Sequence, residues 1–455
     1  MNQHQTVTDV LSRHAASLHA ADLPDDVATF SRTVLADTIG VMLAASTQPA
    51  VRIAAAVMPL SDPDGSTVVG RATRLPAPAA AFVNGIGGHD IELDDSHSPS
   101  RTHAAAVIVA AALAAAEASA KVTGDDLLAG VVAGYDVQVR VSKAMGVQRQ
   151  FDRGFHPTAV CGAIGAAVAA ARVLSLPAGR TRTAIGLAAS QSSGLMTFEE
   201  DPSHMVKSFQ TGTAARNGVT AALFAREGFQ AAPDVLTGRH NVLVPFGGPG
   251  PDAGQLDDAL GVRYDITKTS LKRHACCGQT HSAVDAMLAA QAEHGIRWED
   301  ITGVDVRLAH NAVEMIDGNP LWTHNIQYVL ALAAHEGAVR PEHFTPEWTT
   351  NQEILDLATR VQVRGDDVLQ SRFPAQKGAI LTVRTPGHAV TKECPMPVGN
   401  PEIPLGPAEI RDKFCGLAGT VLPSSRATAL WALLAELGPA TPMPELFRLV
   451  GAFDR

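Results

Sequence analysis

Aromatic side chains are scarce in this chain of 455 residues, at 5%. The scarcity removes the large rings that usually fill a core, and it leaves few platforms for stacking nucleic-acid bases. Cations are also in deficit, with 36 Lys and Arg against 46 Asp and Glu and a formal net charge of −10. No basic stripe interleaved with aromatics is present, so a nucleic-acid partner is not expected. An acidic exterior still permits an anionic substrate, because a few buried cations set the local field. Cysteines number five, Cys161, Cys276, Cys277, Cys394 and Cys415. Their odd count, scattered spacing and lack of a C-x-x-C pair exclude a disulfide framework. The first residues, Met1–Gln5, lack the basic-then-apolar pattern of a signal peptide. The best candidate for a membrane segment, Ala104–Ala116, is too short and stops at Glu117. A cytoplasmic protein with no membrane partner is expected.

What is present is alanine, within an apolar share of 46% and a charged share of 18%. That composition supports a large core and argues against disorder. Small side chains fill little volume, so such a core requires helices that approach closely. The length suits two domains, or one with a second inserted in it. Segments Pro24–Ser46, Ala104–Lys121, Asp125–Met145, Thr158–Leu174, Arg182–Ser193 and Val206–Glu227 read as helices. Within the last, Gly212, Ala214, Ala215 and Gly218 predict nearly backbone-to-backbone packing.

The pattern changes near residue 265. Val304–Leu308, Arg360–Arg364, Ala379–Arg384 and His388–Cys394 carry the alternation or β-branching of strands, with Pro386-Gly387 as a hairpin turn. Helices at Thr280–His294 and Ile326–Glu336 accompany them, and helical periodicity returns from Pro407 to Leu449. The reading is a mainly α fold: a large all-α domain built from both chain ends (1–265 and 401–455), with a smaller α+β domain inserted at 266–400.

Four segments carry candidate chemistry. The first is Gly88-His89-Asp90-Ile91-Glu92-Leu93-Asp94-Asp95-Ser96-His97, followed by His103 at the mouth of an alanine-rich helix. Dense titratable groups hemmed in by apolar segments acquire shifted pKa values, which marks a candidate active site; the alternative is a capped loop with satisfied histidines. The second is His156 before Pro157, where a helix N-terminus favours the neutral imidazole, a form able to act as a general base. The alternative there is a capping side chain. The third is Ser203–Lys207, whose lysine either reaches water or points into a pocket. The fourth is Lys272-Arg273-His274-Ala275-Cys276-Cys277-Gly278-Gln279-Thr280-His281, with two cations suited to a carboxylate.

Metal-site spacings of the structural zinc kind are absent, and a divalent ion on Asp94, Asp95, His89 and His97 is the minor alternative. No P-loop occurs, and Gly85-x-Gly87-Gly88 lacks the setting of a dinucleotide loop. No nucleophile motif surrounds a Ser or Cys.

In this order, the four segments resemble the MmgE/PrpD family, whose members include 2-methylcitrate dehydratase, cis-aconitate decarboxylase and iminodisuccinate epimerase. The resemblance runs from Asn84-Gly85 through His89, Leu93-Asp94-Asp95 and His103 to Gly154-Phe155-His156-Pro157-Thr158. It continues through Lys207 and Gly212 to Lys272, Cys276-Cys277, Thr280-His281 and Asp285-Ala286. It implies a homodimer and cofactor-free chemistry on small di- or tricarboxylates. It also implies active-site roles for His103, His156, Lys207 and Lys272. Around them, Glu92, Asp94, Asp95, Ser96, His97, Arg273, Cys277 and His281 are candidate binding or supporting residues.

Some positions depart from cis-aconitate decarboxylases. There an aspartate stands at Glu92, a threonine at Ser96 and a histidine at Cys277. The tyrosine expected just before Asn319-Pro320 has no counterpart among Tyr135, Tyr264 and Tyr328. The expectation is a lyase that handles a proton on carbon beside a carboxylate, with dehydration of a 2-methylcitrate-like hydroxy acid foremost. An epimerase or isomerase of an iminodisuccinate-like compound, a decarboxylase of the cis-aconitate type, and a non-catalytic binding protein are the alternatives.

Overall fold

In a computed structural model, residues 5–58, 61–119, 121–201, 203–373 and 375–451 are described. Residues 1–4, on which the signal-peptide reading partly rests, lie outside them. The chain divides into two compact units. The first comprises residues 1–90, 94–269 and 406–455; the second comprises Ile91–Leu93 and Ser270–Leu405.

The first unit is helical. Its core helices are Asp25–Ala45, Ala77–Gly87, Ala104–Glu117, Gly124–Met145, Pro157–Val173 and Met205–Arg226. Pro157 begins its helix, as a residue with no N–H to satisfy prefers to do. Thr123 and Asp126 form a capping box at the start of Gly124–Met145. The helix expected over Arg182–Ser193 instead spans Ala178–Ala189. Pro177 is its N-cap, and the Pro-Ala-Gly that follows Leu176 continues into helix rather than forming a loop.

Small residues let these helices meet. A Cβ added at Gly134 would lie 2.7 Å from the Gly165 carbonyl oxygen, and one at Gly85 would lie 2.9 Å from the Gly212 Cα. The Gly85–Gly212 contact joins Ala77–Gly87 to Met205–Arg226 in opposite directions. It brings the end of the first helix beside the start of the second, where Ser208 Oγ donates to Asp90 Oδ1 at 3.0 Å. Asp25–Ala45 is long and apolar enough to cross a bilayer by length and composition, but 78% of its apolar window is buried. Its apolarity is therefore that of a core helix. The C-terminal part adds Pro407–Gly419, Ser424–Ala435 and Met443–Val450.

The second unit holds a four-stranded sheet in the order Val361–Gly365, Gly303–Leu308, Ala379–Arg384, Ala389–Cys394. The first pair is parallel and the other two are antiparallel. Alternating burial along Gly303–Leu308 and Ala379–Arg384 turns one face inward. Helices His281–His294 and Ile326–Glu336 share the core on that face with Val304, Val306, Leu381 and Val383. The turn at Pro386-Gly387 is closed by the Thr385 N–H donating to the His388 carbonyl at 2.9 Å. The whole chain is thus mainly α with a smaller α+β part.

Candidate active site

In the helical unit, three loop-to-helix junctions deliver ionisable groups to one place. Ala77–Gly87 ends just before His89, His103 is the N-cap of Ala104–Glu117, and His156 is the N-cap of Pro157–Val173. A fourth junction adds Lys207 from the first turn of Met205–Arg226.

Asp94 organises the first pair of rings. Its Oδ2 lies 2.5 Å from His89 Nδ1 and 3.0 Å from His103 Nδ1. The rings of His89 and His103 are 4.7 Å apart. His103 Nδ1 also approaches the Asp95 carbonyl oxygen at 2.7 Å. Two acceptors against one nitrogen require that Nδ1 carry the proton, which leaves Nε2 to face outward. The His103 backbone N–H donates to Thr158 Oγ1 at 3.1 Å, fixing this ring relative to the His156 helix. His89 is fully buried, and burial drives its pKa down to about 3, with the Lys207 charge adding to the effect and Asp94 opposing it. It is a neutral ring that fills and orients, while His103 keeps 19% side-chain exposure.

His156 has a different, uncharged partner. Its Nδ1 lies 2.8 Å from Gln210 Oε1. Gln210 Nε2 donates to the Leu195 carbonyl at 2.9 Å, which fixes the amide with its oxygen toward the imidazole. Nδ1 is therefore the protonated nitrogen and Nε2 holds the lone pair. Burial, then the neighbouring His89 and Lys207, hold the His156 pKa well below the usual histidine range. Its ring lies 4.8 Å from that of Phe198, tilted by 56°, and Lys207 Nζ lies 5.6 Å from the Phe198 centroid. Lys207 itself is only 6% exposed. Further along the same helix, Gly212 sits against the Phe82 carbonyl, the close packing that its small residues predict.

Asp95 faces inward. Its Oδ1 accepts from the Ala105 N–H at 3.1 Å and its Oδ2 from the Tyr135 hydroxyl at 2.9 Å. Burial and the Asp94 charge raise its pKa to about 7. Asp95 thus anchors the start of the His103 helix. Ser96 is half-buried beside it. His97 belongs to another network: its Nδ1 bonds Ser100 Oγ at 2.7 Å, and burial lowers its pKa to about 4, with Asp265 opposing and Lys143 reinforcing. Its contacts hold a turn together and are not those of the His103 group.

The second unit contains the remaining candidates. Lys272 Nζ pairs with Glu92 Oε2 at 2.6 Å, and the two side chains are 4% and 2% exposed. Arg273 is 45% exposed and lies 4.0 Å from Asp285. His281 begins its helix with Nε2 3.2 Å from the Cys276 carbonyl, and burial followed by the His274 and Lys272 charges lowers its pKa to about 3. Cys277 is buried beside Cys276.

Sequence reasoning missed Gln210 and Phe198, and within Ser203–Lys207 it singled out only the lysine and not His204. His204 is buried in the left-handed region at φ 62°, with its ring 5.8 Å from His89. A non-glycine residue there stores about 1–3 kcal/mol of strain, a feature that concentrates at functional sites. Gln210 stands one turn after Lys207, so helical spacing from a suspected lysine was the available signal. His89, Asp94 and His103 also place three donor atoms within 4.8 Å of one another, a set able to hold a metal ion. Both imidazoles, however, turn Nδ1 toward Asp94, an arrangement already satisfied by hydrogen bonds.

Family profiles match nearly the whole chain: the MmgE/PrpD N-terminal domain over residues 9–252 and the MmgE/PrpD C-terminal domain over residues 274–437. A cis-aconitate decarboxylase-like protein of Aspergillus oryzae is 28% identical, covering 98% of this chain and 97% of that protein. The cis-aconitate decarboxylase of Aspergillus terreus is 26% identical over 99% and 96% of the two chains. The human cis-aconitate decarboxylase is 24% identical over 95% and 92%.

Proposed function

This chain belongs to the MmgE/PrpD family, a family of lyases of the decarboxylase and dehydratase kind, and from that premise we propose a cofactor-independent lyase for small di- or tricarboxylates. The reaction moves a proton at a carbon beside a carboxylate. The observation that carries this reading is the contrast between two imidazoles: His156 with a neutral amide on Nδ1, and His103 with a carboxylate.

Removing a proton next to an ionised carboxylate concentrates negative charge, so a cation must compensate. Lys207 supplies it, buried beside His156 through Phe198. His156, held neutral with Nε2 unprotonated, takes the proton. His103, whose positive form Asp94 compensates, returns a proton to the leaving group or the carbon. Within the second unit, Lys272 held by Glu92 is a buried cation suited to a carboxylate.

Dehydration of a 2-methylcitrate-like hydroxy acid is the favoured outcome. No tyrosine precedes Asn319-Pro320 where the decarboxylases' active-site tyrosine is expected, and the Tyr135 hydroxyl is occupied by Asp95 and the Tyr328 hydroxyl by the His343 carbonyl. Decarboxylation is the second reading, favoured by the names of the relatives.

The test is incubation with citrate, 2-methylcitrate, cis-aconitate and iminodisuccinate. Dehydration appears as ultraviolet absorbance of a new alkene, and decarboxylation as released gas. Deuterium uptake from heavy water without net conversion would overturn the lyase in favour of an epimerase. No change in any of the four compounds would favour a binding protein. Chelator treatment is expected to leave turnover unchanged; loss restored by a divalent ion would instead assign His89, Asp94 and His103 to a metal.

A further inference from the structure

The hairpin 66–75, in which Ser66–Thr67 pairs with Arg74–Leu75, meets the C-terminal helix Met443–Val450 across a cleft of about 630 Å³. The described residues that line it all belong to the first unit. The volume falls within the range of about 300–1,000 Å³ that small organic ligands occupy. The cleft sits at the Glu117 end of Ala104–Glu117, and His103 caps the other end of that helix. The helix is 14 residues long, about 20 Å at 1.5 Å per residue, so the cleft is distinct from the candidate active site.

Its walls are of two kinds. Ala116, Val122, Met443 and Phe447 form an apolar side, the first and third buried and the other two half-buried. Arg71, Arg74 and Arg448 supply cations, in a chain whose formal net charge is −10. Two of them are compensated by carboxylates. Arg74 Nη2 lies 2.8 Å from Glu117 Oε1, which also accepts from Thr67 Oγ1 at 2.9 Å. Arg448 Nε donates to Glu445 Oε2 at 2.6 Å.

Arg71 differs, because among the described residues it pairs with no carboxylate. Its Nη1 donates to the Ser46 carbonyl at 3.0 Å, which fixes the guanidinium, and its Nε is buried with no hydrogen-bond partner among those residues. The hairpin that carries it is fixed as well. The Gly70 N–H donates to the Val450 carbonyl at 2.8 Å, and the Val69 N–H donates to Asn84 Oδ1 at 2.9 Å. A half-buried guanidinium held in place with no carboxylate beside it favours an anion that arrives from outside.

We propose that this cleft is a second ligand site, for an organic monoanion with one acidic head on Arg71 and an apolar body of about eight carbons along Val122, Met443 and Phe447. Glu117 and Glu445 compensate two of the three arginines, so one charge remains for the ligand to meet. The proposal is independent of the lyase reading, since none of these residues belongs to the proposed reaction.

Calorimetric titration of the full chain with octanoate tests it, beside acetate, which has the head alone, and octanamide, which has the body without the charge. One octanoate is expected to bind per chain, with acetate and octanamide at least about tenfold weaker. Arg71→Met is expected to weaken octanoate by at least about tenfold, while His156→Ala binds it as the parent does. No saturable octanoate binding up to about 10 mM, or equal binding of acetate or octanamide, would overturn the site. So would undiminished octanoate binding in Arg71→Met, or its loss in His156→Ala, which would put the ligand among the catalytic groups instead. Should Arg71→Met misfold, Val122→Asp puts a like charge in the apolar wall, and parental octanoate binding by that variant would equally overturn the proposal.

Discussion

At the scale of single residues, the proposed chemistry depends on tautomers. Gln210 fixes the His156 proton on Nδ1, so Gln210→Glu places a carboxylate there and favours the imidazolium. The expected outcome is a fall in kcat/KM near neutral pH with partial recovery as pH rises, measured as a pH–rate profile; a profile unchanged from the parent would remove Gln210 from the positioning of the base. His97 allows a separate prediction about stability. Its folded pKa of about 4 lies below its ordinary value near 6.5, so between these values the unfolded chain binds the proton and the folded chain does not. Stability therefore falls as pH drops through that window. His97→Gln should flatten the dependence by up to one proton, about 1.4 kcal/mol per pH unit. Denaturant midpoints collected from pH 7 to about 4 check this, and equal slopes would contradict it. His103, His156 and Lys207 were legible because each stands at a helix start among small residues. The bond of His97 to Ser100 was not legible, because proximity in sequence to Asp94 and Asp95 says nothing about which way an extended turn points its ring. The left-handed backbone at His204 was hidden, because it leaves no compositional trace.

At the scale of elements, helix contact is what sets the positions of the site groups. Gly212→Ala would drive a methyl against the Phe82 carbonyl and Ile86, separating the helices that carry His89 and Lys207. A loss of about 1–3 kcal/mol is expected from such overpacking, together with reduced turnover. Gly416→Ala is the matched control: it lies on an exposed helix face with open space around it, and should be neutral or stabilising by up to about 1 kcal/mol. Equal effects of the two substitutions in thermal unfolding would refute the packing argument. Small-residue spacing in Val206–Glu227 made this contact readable in advance. Strand positions were equally readable, since alternation and the Pro386-Gly387 turn fix a period of two. The boundary error at Ala178–Ala189 arose because a proline followed by alanine and glycine suits both a loop and a helix N-terminus.

At the scale of the whole molecule, the mainly α class followed from alanine abundance and from the change of period near residue 265. The excursion of Ile91–Leu93 into the second unit did not, because three residues are too few to carry a periodic signal. Glu92 within it adopts φ 51° and pairs with Lys272, a union of residues 180 positions apart in sequence. Assembly as a homodimer and a cytoplasmic location are proposals that follow from the family resemblance. The exposed Phe224 and Phe229, with ring centroids 5.4 Å apart, support the former, since a water-facing pair of large rings is unusual in a chain so poor in aromatics. Sedimentation should return twice the 47.5 kDa chain mass, and a species at the single-chain mass would refute the dimer.

The most direct test of the central claim is the fate of the carbon-bound proton. In heavy water, the parent enzyme should place deuterium at the carbon beside a carboxylate of its substrate while also converting that substrate, and folded His156→Ala should lose this exchange by at least about 100-fold. Undiminished exchange in His156→Ala, with the same circular dichroism and unfolding midpoint as the parent, would contradict the assignment of His156 as the base.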